Sequence, residues 1–422
     1  MGDEVAAIIR ASAHRLWPEL IRLQRELHEH PELGFEEHRT AQLIATRLAA
    51  AGCALQAGIA GTGVVAEIPG RCRERSVLVR VDIDAFPIGE ATGLPWASRV
   101  PGVSHACGHD AHAAIGVGVA LLLQSMPAPP AVTVKVLFQP AEERPLCEEG
   151  EDRPYREGAR ATPAAAIVIR EGILENPPVQ AAFGLHLWPW LQVGQVGVGT
   201  GPAMAGVANF LITLMGQSAH AAVPHEGIDT LLASAHLLTM LQSLVARQTA
   251  PGEPLVVNVG TIRGGDRRNV VADRVDMTGT VRSVRLELLA ERVPERLRAM
   301  LEGLAQALGV RYELEYEVLL GPVVNEPAVT ERTQKAIAAV LGQAAVVCAL
   351  GPAMTSEDFA LYAGQVPAVY LKIGCTAAGE RPIPLHSRGF RFDERAMLVG
   401  LQAMAAAVWA EAEWLGCQGG ML

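Results

Sequence analysis

Apolar residues recur at helical spacing near the start of the chain. Ile8, Ile9, Leu16, Leu20, Leu23 and Leu27 fall on one stripe and Pro31 ends the pattern, so a helix is expected over 5–28. A second helix is expected over 35–51. The pattern then shortens to β-branched runs at 63–68 and 77–83, a small-residue apolar helix over 109–124, and a strand over 132–138. Apolar runs at 165–169 and 181–187 read as two more strands. Strands alternating with helices predict an α/β sheet with helices on both faces.

After residue 198 the rhythm changes to strand 207–215, helix 228–247, strands 255–262 and 274–281, helix 286–308 and strand 312–318. That βαββαβ order is the split-βαβ, ferredoxin-like arrangement, so 199–318 is expected to be an inserted α+β domain. Alternation resumes with a helix over 330–341, strands near Val346 and Val369, and a helix over 393–415. The larger domain is therefore discontinuous, comprising 1–198 and 319–422.

Composition narrows the class. Hydrophobic residues make up 50% and charged residues 19% of 422 positions, which is globular and long enough for two cores. The net charge of −10, without a long basic run, argues against nucleic acid or an anionic membrane as the main partner. Residues 1–31 intersperse Asp3, Glu4, Arg10 and Arg15 and lack a signal-peptide apolar region, and the best apolar run, 113–123, falls short of the roughly 18 residues a membrane span needs. Seven scattered cysteines suggest no disulfide framework. A soluble, cytoplasmic protein acting on a small molecule or short peptide is expected.

Candidate chemistry is concentrated in a few segments. Cys107 lies among His105, His109 and His112, and Cys107 and His109 reach one ion together only if the chain turns sharply at Gly108. Glu142 and Glu143 follow a buried-looking strand, and adjacent side chains diverge, so one can hold an ion while the other faces a water. His186 sits within an apolar strand and His386 just before the last helix. Each alone is more often a packed residue than a ligand, but separated segments that all carry donors point together to a metal.

The runs at 25–37 and 80–88, His105-Ala106-Cys107-Gly108-His109-Asp110, Gln139-Pro140-Ala141-Glu142-Glu143, Gly184-Leu185-His186-Leu187-Trp188-Pro189, His220 to His225, Gly279-Thr280-Val281-Arg282 and Ser356-Glu357-Asp358-Phe359 resemble the hippurate hydrolase and aminoacylase group of metal-dependent amidohydrolases, in the aminoacylase and carboxypeptidase clan. The motifs are in order and cover nearly the whole chain. The resemblance implies a mixed-sheet, zinc-peptidase-like catalytic domain with an inserted lid and dimerisation domain, forming a homodimer or higher homo-oligomer. It implies that Cys107, His109, Glu143, His186 and His386 hold one or two divalent ions (zinc, manganese or cobalt), with Glu142 as general base. By the same resemblance His220 reaches a neighbouring subunit's site to stabilise the oxyanion, with Asn269 nearby in role. Arg282 pairs with a substrate carboxylate, and Asp84 orients a ligand.

The activity implied is hydrolysis of N-acyl amino acids. The alternatives are a dipeptidase or carboxypeptidase on the same scaffold, or a non-catalytic metal-stabilised binding protein, against which the presence of Glu142 speaks. Relatives usually carry glycines after the Glu pair, whereas here a charged, acidic stretch over 144–160 intervenes and is expected to bear on substrate choice.

Overall fold

The computed structural model describes residues 2–144, 146–147 and 161–418. The acidic stretch singled out in the sequence thus lies almost entirely outside the described residues. Helices α1 (Asp3–Glu29) and α2 (His38–Ala50) open the chain, followed by strands β1 (Ala54–Ile59), β2 (Gly63–Ile68) and β3 (Cys72–Asp82). Next come α3 (His109–Gln124), β4 (Val132–Gln139), the short pair β5 (Leu146–Cys147) and β6 (Ala161–Thr162), α4 (Ala164–Arg170), β7 (Val179–Gln192), β8 (Val196–Gly197) and β9 (Gly201–Met204). A second unit follows: β10 (Gly206–Met215), α5 (Thr230–Arg247), β11 (Leu255–Gly264), β12 (Arg274–Ser283), α6 (Val293–Leu308) and β13 (Arg311–Leu320). The chain ends with β14 (Val323–Asn325), α7 (Pro327–Leu341), β15 (Val346–Val347), α8 (Ala360–Ala363), β16 (Ala368–Thr376) and α9 (Arg395–Gln418).

The larger sheet has eight strands in the order β1-β2-β4-β3-β7-β16-β8-β15. It is mixed: β3 runs parallel to β4 and β7, and β16 parallel to β7, while β2 runs antiparallel to β4. Every residue of β4 is buried, as expected for a central strand covered on both faces, including the polar Thr133, Lys135 and Gln139. Helices α1, α3 and α9 pack on one face, around Leu20, Ile115 and Leu401. α4 and α8 contribute to a second core, with Ala182, Phe359 and Tyr370, on the opposite face. Beyond its first turn, which carries His109, Asp110 and His112, α3 is almost wholly buried and built of alanine, glycine and aliphatic residues up to Leu123.

The smaller sheet is antiparallel, in the order β11-β12-β10-β13. α5 and α6 cover one of its faces. Along β13 the alternation of Tyr312, Leu314 and Tyr316 with Glu313, Glu315 and Glu317 buries one set and leaves the carboxylates on the other face. That uncovered face looks across a cleft toward the ends of the larger sheet's strands.

Two local readings differ from the structure. Residues 165–169, read as a strand, lie in α4: a short run such as Ile167-Val168-Ile169 fits either element, and Pro163 at the N-cap favours helix entry. β1, with Gln56 and Gly58 in place of β-branched residues, gave no strand signal but pairs with β2 in a hairpin. Among the described residues no helix is long and apolar enough to cross a membrane.

Candidate active site

The register of the larger sheet builds the site. Asp82 at the end of β3 lies opposite Gln139 at the end of β4, so the two following loops emerge side by side, at the carboxyl ends of parallel strands. Across them the Glu143 amide donates to Asp84 Oδ2 at 3.0 Å. Gly108 takes the left-handed φ of 87°, which turns the chain so that Cys107 and His109 face the same space as α3 begins. An added Cβ at Gly108 would lie 3.0 Å from Leu187 Cδ1. His386 is also left-handed, at φ 56°, and its amide donates to Ala106 O at 2.8 Å, joining its loop to that of Cys107.

The result is a compact donor cluster. Cys107 Sγ is 3.2 Å from both His186 Nε2 and His386 Nε2, and His386 Nε2 is 2.7 Å from Glu143 Oε1. One potential ligand atom each from Cys107, His109 and His186 lie within 4.8 Å of one another, as do those of Cys107, Glu143 and His386 and those of His109, Glu142 and Glu143. Two of the imidazoles have their far nitrogen tied back: His109 Nδ1 to Asp84 O and Oδ1 at 3.0 and 3.1 Å, and His186 Nδ1 to Leu187 O at 2.7 Å. His109 Nε2 is buried without a hydrogen-bond partner among the described residues. This tethering of one nitrogen and freeing of the other is how proteins orient metal-ligating histidines, so the residues present fit a divalent ion.

The remaining histidines of that segment are differently placed. His112 bonds Asp82 Oδ1 at 2.6 Å through Nδ1 and accepts from the Leu187 amide at 2.9 Å through Nε2, which uses both nitrogens. His105 is buried, and burial pushes its pKa down to about 4, so it is neutral.

Behind Glu142 lies a network whose role the sequence did not disclose. Arg80, wholly buried, reaches Asp82 Oδ2 and Asp358 Oδ1 at 2.6 Å each and Glu357 Oε1 at 3.1 Å. Carboxylate oxygens of Glu142, Glu357 and Asp358 lie within 4.8 Å of one another. Burial, then the charges of Glu357 and Glu143, hold Glu142 well above the usual carboxylate range, so it is disposed to keep a proton once it takes one. Burial likewise raises Asp358 to about 7, against the pull of Arg80. Burial, then Glu143 and Glu142, raise the Cys107 thiol; a cation among the donors inverts that balance and favours thiolate. Burial opposes charge on His109, yet Asp82 and Asp84 together hold it at about 10. A usable signal existed in the sequence: an arginine between Val79 and Val81 of an apolar strand.

Two cavities open from this centre. One, of about 480 Å³, runs under the uncovered face of the smaller sheet and is lined by Asn258, Arg282, Glu315 and Glu317; the other, of about 640 Å³, contains the donor cluster. Glu142, Leu320 and Ser356 border both. Arg282 on β12 donates to Met354 O and Ser356 Oγ, each at 3.4 Å. His220 and Asn269 do not join the cluster of their own chain. They are exposed on the smaller unit, side by side through the Ala221 amide's bond to Asn269 O at 3.1 Å, and line neither cavity.

A donor cluster that fits a divalent ion, beside a buried carboxylate at the strand ends of one sheet and facing a second sheet, has the make-up of a metal-dependent enzyme's active site. The chain belongs to peptidase family M20/M25/M40, whose model matches residues 78–410. It is 37% identical over 387 residues to the N-acetylcysteine deacetylase of Bacillus subtilis, covering 92% of this chain and 95% of that one. It is 34% identical over 307 residues to the N-acyl-L-amino acid amidohydrolase of Geobacillus stearothermophilus, covering 73% and 78%. The structure of the Bacillus subtilis YXEP protein, described as a dinuclear metal binding peptidase of family M20, matches with a TM-score of 0.79 and 34% identity, over 95% of this chain and 99% of that one.

Glu37 shapes the loop of the Glu pair. It is fully buried, accepts from the Ala141 amide at 2.9 Å and from Thr62 Oγ1 at 2.6 Å, and so holds Ala141 in its left-handed φ of 51°. Burial raises its pKa from 4.5 to about 7. A carboxyl raised in the folded state favours folding below the unfolded pKa, and that contribution is lost as pH rises toward the folded value. Glu37→Gln removes the titration, so the stability of the variant relative to wild type should increase by about 3 kcal/mol between pH 4 and pH 8 in urea unfolding. A pH-independent difference would contradict this.

Proposed function

We propose that this chain hydrolyses the amide bond of N-acyl amino acids, releasing a carboxylic acid and a free amino acid. The observation that carries the reading is the convergence of Cys107, His109, Glu143, His186 and His386 beside Glu142, in a cleft that Arg282 faces. The names of the deacetylase and amidohydrolase relatives support it. In this reading 1–198 and 319–422 form the catalytic domain, and 199–318 the lid and dimerisation domain.

The donor residues would hold one or two divalent ions of zinc, manganese or cobalt. Once bound, the ions supply Lewis acidity, which acidifies a water and polarises the scissile carbonyl. Glu142 takes the proton of the attacking water as its oxygen bonds to the carbonyl carbon. The carbon–nitrogen bond then breaks, and Glu142 delivers that proton to the leaving nitrogen. Asp84 fixes the His109 ring and the Glu143 backbone. Arg282 pairs with the amino acid's carboxylate through its planar fork. His220 and Asn269, remote from their own cluster, serve the site of a second copy, where they stabilise the oxyanion as the lid closes.

Glu142→Gln should keep its metal by elemental analysis while turnover of an N-acyl amino acid falls by about 10²–10⁴, whereas Glu143→Gln should lose metal. An active Glu142→Gln protein, or full activity after chelation, would sink the mechanism. Mixing Glu142→Gln with His220→Ala protein should restore part of the activity in hybrid dimers. No recovery despite demonstrated subunit exchange would count against action across subunits.

A further inference from the structure

We infer that Phe86 is a positioning residue for the donor cluster: the face of its ring holds the His386 imidazole in the orientation that a cation requires. The inference rests on the reading that the donors bind divalent ions and adds to it the contact by which one of them is aimed.

The three histidine donors are not secured alike. His109 and His186 are buried, and a hydrogen bond fixes the far nitrogen of each. His386 differs on both counts. Its side chain is 44% exposed, and among the described residues no hydrogen bond holds its Nδ1; its contacts with Cys107 Sγ and Glu143 Oε1 are both made by Nε2. An imidazole secured by nothing else turns about its side-chain bonds, and fixing it when an ion binds costs conformational entropy.

One contact supplies what the hydrogen bonds do not. The His386 ring lies against the ring of Phe86, with centroids 4.4 Å apart and planes inclined by 24°. Such a stack sets the plane of the imidazole and shields one face from water, while the Nε2 edge stays toward Cys107 and Glu143. A cation at Nε2 withdraws electron density from the imidazole, and an electron-poor ring is drawn to the electron-rich face of a phenylalanine. The stack therefore favours the ion-bound state over the ion-free one, as any contact that raises affinity must.

The backbone brings the two rings together. Beyond β3 alternate residues share a face, and Asp82, Asp84 and Phe86 meet His112, His109 and His386 in turn. The first two contacts are buried and use a carboxylate. At the third the imidazole is exposed, where water competes for a hydrogen bond, and an aromatic face serves instead. Phe86 is itself fixed by Ser104: its amide donates to Ser104 O at 2.9 Å, and its carbonyl accepts from the Ser104 amide at 3.0 Å. Two residues further, Ala106 O accepts from the His386 amide, so residues 104–106 hold the backbones of both rings. Phe86 lines neither cavity, and its influence on the site passes through His386.

The test is a double-mutant cycle read as zinc affinity, measured by competition with a chelator on the full chain stripped of metal. Phe86→Leu should weaken one step of zinc binding by about tenfold. Phe86→Tyr keeps the ring and should bind as wild type does; Phe86→Met is the second ring-free variant should Phe86→Leu fail to fold. His386→Gly removes the imidazole while accommodating the left-handed backbone. On that background Phe86→Leu should have no further effect, because the route from residue 86 to the ion is gone. A general loosening of the fold would weaken binding equally on both backgrounds. Unchanged zinc affinity in Phe86→Leu, or the same loss with His386 absent, overturns the inference while leaving the donor reading intact. A wild-type chain that binds no zinc overturns both.

Discussion

The interaction on which the site depends is the burial of Arg80 among three carboxylates. Its guanidinium, with no exposed surface, meets Asp82, Glu357 and Asp358 at once. Each of these continues outward. Asp82 holds His112, whose other nitrogen accepts the Leu187 amide beside His186. Asp358 accepts from Gln139 and from the Ala165 amide at the start of α4, and Glu357 accepts from Tyr370 at 2.5 Å while standing next to Glu142. One side chain therefore ties β3, β4, β7 and β16 into a single arrangement at their functional ends. A buried ion network of this kind contributes little net stability, because desolvation offsets the attraction, but losing one member leaves the others uncompensated. Its consequence is geometric: the strands cannot shift without exposing charge to an apolar interior.

The same network sets the chemistry. Burial, then the negative charges of Glu357, Glu143 and Asp358, make Glu142 hold a proton more firmly, against the pull of Arg80. On the donor side, Asp84 and the Leu187 carbonyl anchor the far nitrogens of His109 and His186 and leave Nε2 of each turned inward. Two non-glycine residues adopt left-handed backbone at this centre, Ala141 before the Glu pair and His386, at a cost of about 1–2 kcal/mol each. Specific bonds hold them there: the Glu37 carboxylate on the Ala141 amide, and the Ala106 carbonyl on the His386 amide. Strain at the donors is thus balanced by buried hydrogen bonds just behind them.

Much of this was legible in the sequence, for identifiable reasons. The stripe of Ile9, Leu20, Leu23 and Leu27 marks α1 because a helix covering one face of a sheet must repeat its apolar positions at helical spacing. The βαββαβ order of the smaller unit could be read because its strands alternate, one face covered by helices and the other open. Cys107, His109, Glu142, Glu143, His186 and His386 were each visible as donors, but spacing alone could not say that they converge, since convergence follows from the parallel register of β3, β4 and β7. The role of Arg80 is not legible in the sequence, because a charge in an apolar strand acquires meaning only through its partners, Glu357 and Asp358, which are distant in sequence. Residues 165–169 lie in α4 although they read as a strand, because five small or β-branched apolar residues in a row carry no period.

The central claim is that the donors gathered on the Arg80 framework hold their cation beside Glu142 and nowhere else. Anomalous scattering from crystals grown with zinc, collected on both sides of the absorption edge, tests it directly. The account predicts one or two peaks enclosed by Cys107, His109, Glu143, His186 and His386, and none between Asp82 and His112, whose ring nitrogens are already engaged. A peak at Asp82 and His112, or no peak within the donor cluster, would contradict it.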